Sequence, residues 1–343
     1  MLMRDQNKEF VNPRRMIECG GGDAAIEEAL ARVGYVIQGN LLVDLIHALS
    51  SGKPLLVEGP RGGGKTALAE ALVSAFNLTT FYLQGMEDLT IADVLYSWDG
   101  EAQTQMVRQE LAAGAELAQA QAKQFTRPYL ILGEVLGAFD YAARYEDPPV
   151  LIIDEADKLT PKIGDMLLQL LGRGSSHVPR YGNIGVLGVH CQDLARWPIA
   201  FLLSNDDRHG LSPPLRSRCV FTWLDPPTPE EEVAILRARV PEAPPRLLRE
   251  TAKLINCIRR DMPAVRDKPG LRESIDLLTA LVRGRVEYLN ARLIQGHLCF
   301  LAKRNNERRN LLQGLARMEA AVRRADLDID SWVESAFAER RES

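Results

Sequence analysis

The 343-residue sequence predicts an α/β fold: three αβα layers around a mostly parallel sheet, followed by a smaller all-helical domain. Three observations predict it. Short apolar runs of strand length recur at 54–57 (Pro-Leu-Leu-Val), 80–83, 150–153 and 199–203, separated by helical periodicity, which is the pattern of strands covered on both faces. The first run passes into a glycine-rich loop that opens a helical segment over 65–76. Beyond Leu224-Asp225-Pro226-Pro227-Thr228-Pro229 the strand pattern stops and every periodic stretch is helical.

Taken in order, residues 1–22 have mixed polarity and end in Gly20-Gly21-Gly22, so a flexible leader is expected there. Asp23 can cap a helix whose apolar positions Ile26, Leu30 and Val33 fall at helical spacing, and 41–49 reads as a second helix. A long helical stretch precedes the strand at 150–153. The segment 174–190 mixes glycines with β-type residues and is expected to be a hairpin or mobile loop. The proline cluster places a boundary between a strand-containing domain, 23–225, and a helical domain with a C-terminal extension, 226–343. Pro241 to Pro245 interrupts the helices of the second domain, while Leu311, Leu315, Met318 and Val322 form a helical stripe expected to pack in a core. The basic stretch 303–324 and the acidic residues 325–343 read as a solvated charged helix with an acidic tail.

Composition bounds the partners. A 46% hydrophobic and 26% charged chain is that of an ordinary globular protein. The net charge of −4 lacks the electrostatic footprint of a general nucleic-acid binder, so nucleic acid is not an expected partner. Five scattered cysteines show no zinc spacing, which fits a reduced, cytoplasmic chain. The polar N-terminus and the lack of a long apolar run predict neither export nor a membrane span.

The chemistry gathers at three strand ends. Gly59-Pro60-Arg61-Gly62-Gly63-Gly64-Lys65-Thr66 satisfies the phosphate-loop spacing G-x-x-x-x-G-K-[ST] and lies between strand and helix, as that loop requires. Backbone N–H groups and the helix N-terminus would hold phosphate, Lys65 would reach the β- and γ-phosphates, and the Thr66 hydroxyl would ligate Mg²⁺. Ala67 completes the expected ATP-binding set. Val150-Leu151-Ile152-Ile153-Asp154-Glu155 delivers two carboxylates at a strand end, Asp154 for the Mg²⁺ shell and Glu155 to orient or deprotonate the attacking water. Asn205, after the run 199–203, could hydrogen-bond that water and the γ-phosphate without adding charge; alone it reads as a turn former. Arg216 and Arg218, in Leu215-Arg216-Ser217-Arg218-Cys219, read alone as surface charges.

Assembled in this order, the residues resemble those of AAA+ ATPases, and within them the MoxR-type branch. Phe81-Tyr82-Leu83-Gln84-Gly85 running on to Asp93 through Asp99, and Ser204-Asn205-Asp206-Asp207-Arg208 running on to Leu215 through Cys219, are similar to MoxR-like ATPases that work beside von Willebrand A domain proteins. The resemblance implies Asn205 as sensor 1, Arg218 as the arginine finger reaching a neighbouring subunit with Arg216 as runner-up, and Arg272, in Lys268-Pro269-Gly270-Leu271-Arg272-Glu273, as sensor 2. It implies a hexameric ring that hydrolyses ATP to remodel a protein client, a von Willebrand A domain protein being the candidate, with 174–190 facing the pore. Arg61 departs from the small residue usual in the loop, and the region beyond about residue 287 has no counterpart in the resemblance. Two other classes stay open: a nucleotide-gated scaffold with slow hydrolysis, and a DNA-associated, clamp-loader-like ATPase.

Overall fold

The computed structural model describes residues 12–18, 22–37, 39–185, 193–205 and 211–324. These described residues form two compact bodies, a sheet body within the bounds Met1–Ala29, Asn40–Glu58 and Ala69–Trp223, and a helical body within the bounds Leu30–Gly39, Gly59–Leu68 and Leu224–Ser343. In chain order the elements up to residue 223 are α1 (Pro13–Glu18), α2 (Gly22–Arg32), α3 (Leu41–Ser51), β1 (Leu55–Glu58), α4 (Lys65–Phe76), β2 (Thr80–Gln84), α5 (Ile91–Val94), β3 (Tyr96–Trp98), α6 (Gly100–Ala112), α7 (Leu117–Ala122), β4 (Leu130–Leu132), α8 (Glu134–Arg144), β5 (Val150–Asp154), α9 (Pro161–Arg173), β6 (Ser175–Val178), β7 (Gly182–Gly185), β8 (Ile199–Ser204), α10 (Pro213–Arg216) and β9 (Val220–Trp223). There follow α11 (Pro229–Arg239), α12 (Pro245–Asp261), α13 (Leu271–Arg283), α14 (Ala291–Gly296), α15 (Leu298–Leu301), α16 (Asn305–Gln313) and α17 (Leu315–Arg323). Among the described residues no helix is long and apolar enough to cross a membrane.

The main sheet is parallel, in the order β2-β5-β8-β1-β9. Its inner strands β1 and β8 are buried at every position, and β5 at all but Asp154. That burial on both faces is why their sequences run apolar without alternating. The edge strands β2 and β9 alternate in burial instead. Helix α8 covers the sheet with Val135, Leu136, Ala138, Phe139 and Ala142, an apolar stripe at helical spacing. The long helical stretch of the sequence reading is interrupted by the antiparallel pair β3–β4. The segment 175–185 is a hairpin, β6 against β7. At its turn the Arg180 guanidinium carbon sits 4.3 Å from the Phe125 ring centre and Tyr181 meets Trp98 edge to face. Residues 186–190 of the expected 174–190 segment lie outside the described residues.

Part of the expected leader is docked. On α1, Arg14 is buried and donates to the carbonyls of Leu194, Trp197 and Pro198, while Asn12 Nδ2 donates to Ala195 O at 2.9 Å. The turn 194–198 exposes several carbonyls that no sheet partner satisfies, and one guanidinium supplies enough donors for them. Burial draws the Arg14 pKa down to about 10, with Asp193 opposing the shift. The rest of the leader, 1–11 and 19–21, lies outside the described residues.

The helical body packs Val233, Leu236, Leu248, Ile255, Leu277 and Met318 into its own core. The break between α11 and α12 falls at the 241–245 prolines. Leu311, Met318 and Val322 are buried, yet the stripe spans two helices because the chain bends at Gly314, where a Cβ would meet Met262 Cε at 2.2 Å. The stretch 303–324 therefore differs from a single solvated helix: one face is core, and Glu307 is buried, accepting the N–H groups of Asp267 and Lys303 at 3.1 and 3.2 Å. The acidic residues 325–343 lie outside the described residues.

Candidate nucleotide site

The phosphate-loop residues and Arg272 share the helical body. Gly62 has φ +71°, a conformation that favours glycine, and its carbonyl accepts the Leu271 N–H at 2.9 Å. The cap of α13 thus lies against the loop, and Arg272, exposed, is the next residue. The Gly270 N–H is held by Glu273 at 2.9 Å, and Glu273 pairs with Lys303 at 2.8 Å. Lys65 is buried at the first position of α4, its ammonium donating to the Gly59 and Pro60 carbonyls at 2.9 and 2.8 Å. Thr66 and Ala67 follow, half-buried, in the first turn of that helix, and Arg61 is exposed.

Asp154, Glu155 and Asn205 belong to the sheet body. Parallel pairing puts the ends of β5, β8 and β1 at one edge, where Asp154, Ser204 and Glu58 are the last strand residues. Glu155 turns the chain away with φ +50° and ψ +44°, a left-handed geometry costing a non-glycine residue about 1 kcal/mol. Its N–H is held by Asp154 Oδ1 at 2.8 Å. Its carboxylate accepts from Gln84 Nε2 at 2.8 Å and from Lys158. The Tyr82 hydroxyl lies 3.1 Å from Asp154 Oδ2 and 2.8 Å from Gln84 Oε1. Burial, reinforced by the Asp154 charge, pushes its pKa up to about 12. On the other side, buried Asp157 accepts the backbone N–H of Asn205 at 3.3 Å, joining the carboxylate turn to the end of β8.

The two arginines are placed differently. Arg216 makes a two-pronged ion pair with buried Glu58, at 2.6 and 3.1 Å. Arg218 is exposed, and its guanidinium lies over α9, with Nη1 2.5 Å from where a Cβ on Gly172 would stand.

Sequence reasoning gave no role to Tyr82, Gln84, Gly85, Asp157, Lys158 or Glu58. The Glu155 to Lys158 spacing of three was legible as an ion pair. Gln84 was not, since its place depends on the register Gln84↔Asp154 between β2 and β5. Gly85 is fixed by close approach: its N–H donates to Asp154 O at 2.7 Å, and a Cβ would stand 2.2 Å from Glu155 O.

Each body carries donors of the kind that a magnesium nucleotide takes. A left-handed Gly62 ahead of a 12-residue helix, with Lys65 at its first position, presents amides and an ammonium to anionic oxygens. The Thr66 hydroxyl in the helical body and the Asp154 carboxylate in the sheet body are each of the hard-oxygen type that Mg²⁺ takes.

A five-stranded parallel sheet with a phosphate loop after its β1 strand and a carboxylate pair after β5, followed by a helical region, is the fold of AAA+ P-loop NTPases. Residues 54–219 match the family model described as "AAA domain (dynein-related subfamily)". Among solved structures the chain is similar to the Thermotoga maritima RuvB Holliday junction branch migration motor, at 16% identity over 86% of this chain and 76% of that one, with a TM-score of 0.40. A variant of that motor matches at 18% identity over 86% and 77%, with a TM-score of 0.42. No curated protein matches the chain.

Proposed function

We propose that this protein is an ATPase that remodels a partner protein, assembled as a homo-oligomeric, hexameric ring in which Arg218 of each subunit completes its neighbour's site. One observation carries the reading: β5, β8 and β1 are adjacent and parallel, so that Glu155, Asn205 and the phosphate loop all follow strand ends at one edge of the sheet. Ligands of open α/β sheets bind at that edge. In this reading the 59–67 segment binds ATP, with Lys65 on the β- and γ-phosphates. Thr66 and Asp154 hold Mg²⁺, which when bound neutralises charge on the phosphate oxygens. Glu155 orients the attacking water and accepts its proton, Asn205 positions that water as sensor 1, and Arg272 contributes as sensor 2. The exposed Arg218 suits a role outside its own subunit, whereas Arg216 is engaged by Glu58. The MoxR-type resemblance supports a protein client, with a von Willebrand A domain protein as the first candidate, in the cytoplasm. The division into a nucleotide-binding domain, 23–225, and a helical lid domain, 226–343, is part of the same proposal, with hydrolysis driving movement between the two.

The test is steady-state phosphate release by the assembled protein. Arg218→Ala is expected to lose about a thousandfold, and subunits with a silent active site but an intact Arg218 should restore it on mixing. Normal turnover by Arg218→Ala would remove the finger assignment.

A second reading, a nucleotide-gated scaffold with slow hydrolysis, draws on the engagement of Glu155 by Lys158 and Gln84. Phosphate release that stays slow with and without the client would favour it. The DNA-associated reading draws on the resemblance of Ser217-Arg218-Cys219 to clamp-loader subunits, and the net charge of −4 opposes it; salt-sensitive retardation of duplex DNA would support it.

A further inference from the structure

Glu58 is the last residue of β1, directly before Gly59, and it is 2% exposed. Both its oxygens are taken by the Arg216 guanidinium, Oε1 at 2.6 Å from Nη2 and Oε2 at 3.1 Å from Nη1. Arg216 closes the four-residue α10, and its guanidinium carbon also lies 5.9 Å from the Phe221 ring centre. Two residues later comes Arg218, on a turn whose Leu215 is anchored in the core and whose exit pairs with β1 through β9. With the Glu58 side chain 3% exposed and that of Arg216 38% exposed, the pair is a modest source of stability, since desolvating the carboxylate offsets much of the attraction and water screens the guanidinium. What it does supply is a rigid, directional link, since a planar guanidinium on a carboxylate fixes distance and angle together.

We propose that the Glu58–Arg216 pair is a strut that ties the Arg218 turn to the strand leading into the phosphate loop, so that Arg216 is a positioning residue acting through Arg218. This rests on the reading of Arg218 as a finger acting in trans. The strut makes the presentation of the finger to the next subunit depend on the strand that carries the subunit's own phosphate loop. Arg216 contacts no nucleotide in this scheme, its partner being Glu58.

The experiment uses full-length protein with ATP, measuring phosphate release and equilibrium ATP binding for Arg216→Met, Glu58→Gln, the double variant and Arg218→Ala. Each is assayed alone and co-assembled with Glu155→Gln subunits, whose own sites are silent but whose arginine turns are intact. Arg216→Met is expected to lose about tenfold or more in hydrolysis while binding ATP within about twofold of the unchanged protein. Mixing should restore its activity, as it should for Arg218→Ala, because the missing function is one delivered to a neighbour. The double variant should lose no more than the worse single one, the mark of two residues acting as a unit. Wild-type turnover in Arg216→Met, additive losses, or a loss that mixing does not restore would each overturn the strut. If Arg218→Ala is impaired and rescued while Arg216→Met is not rescued, the strut alone fails. If Arg218→Ala turns over normally, the finger reading falls and the strut with it. Should Arg216→Met not fold, Arg216→Lys, which keeps the charge but not the two-pronged geometry, decides by the same mixing test.

Discussion

Each body of the molecule holds a glutamate paired with a cation, and the two pairs are built to opposite ends. In the helical body, Glu232 and Arg259 have side chains 0% and 10% exposed. The Glu232 carboxylate accepts two guanidinium N–H groups at 2.8 and 3.1 Å and the Ser274 hydroxyl at 2.6 Å, and Arg259 Nε reaches Pro269 O at 2.8 Å. Burial pushes the Glu232 pKa up, against the pull of Arg259 and the Ser274 hydroxyl. In the sheet body, Glu155 and Lys158 are each 29% exposed, and one amide of Gln84 completes the set. The first pair is saturated and joins α11, α12 and α13. The second is half-open to water and sits on a left-handed residue. Saturation and burial, more than the identity of the ions, decide whether a pair fixes the architecture or can be exchanged during a reaction.

The largest expected effect tests the exchangeable pair. Glu155→Gln should lower phosphate release by about 10²–10⁴-fold while ATP binding persists and stability moves by no more than about 0.5 kcal/mol. Turnover at the unchanged rate would take Glu155 out of the reaction and leave the two pairs alike in having only structural roles. Next comes the saturated pair: Arg259→Met strands the Glu232 carboxylate in the core and should cost about 3–5 kcal/mol by denaturant unfolding. Adding Glu232→Leu should recover part of that, since the stranded charge is then gone. A cost of about 1 kcal/mol or less would equate the pair with a surface one. Gly85→Ala sharpens the contrast at the level of the backbone. The added methyl, 2.2 Å from Glu155 O, must move the carboxylate turn, so about 1–3 kcal/mol of stability should be lost together with hydrolysis, both read on one sample.

The sequence made the inner strands legible because burial on both faces leaves an unbroken apolar run, and the loop at 59–66 legible because its spacing is tied to its chemistry. The hairpin at 175–185 announced itself through glycines among β-formers. Other features depend on which strand lies beside which. Gln84 reaches Glu155 only because β2 pairs with β5, and Glu58 meets Arg216 across 158 residues of chain. Neither follows from local pattern. Arg14 shows a related limit: a charged residue in a short polar stretch reads as solvated, and the carbonyls of Leu194, Trp197 and Pro198 that give it a buried place are some 180 residues away in the chain. The same holds at Gly314, where the helical stripe is split between two helices and a Cβ would meet the end of the Met262 side chain.

A third glutamate lies between the two extremes and gives the smallest effect. Glu273, 19% exposed, accepts the Gly270 N–H and pairs with Lys303, itself 51% exposed. Burial alone would raise its pKa, but Lys303 and the N–H groups of Glu273 and Gly270 together outweigh it, and the carboxyl is held below its ordinary value. A folded-state pKa below the unfolded one contributes stability above the usual carboxylate range, and that contribution is lost as pH falls through the folded value. Compared with the unchanged protein, Glu273→Gln should therefore be less stable by about 0.5–1 kcal/mol near neutrality, after allowance for screening. The gap should close toward about pH 3, as read by urea unfolding at several pH values. Because Glu273 holds the Gly270 cap beside Gly62, the same variant should weaken ATP binding modestly at neutral pH and not in acid. A pH-independent gap would show that its role is packing, placing Glu273 nearer to Glu232 than to Glu155.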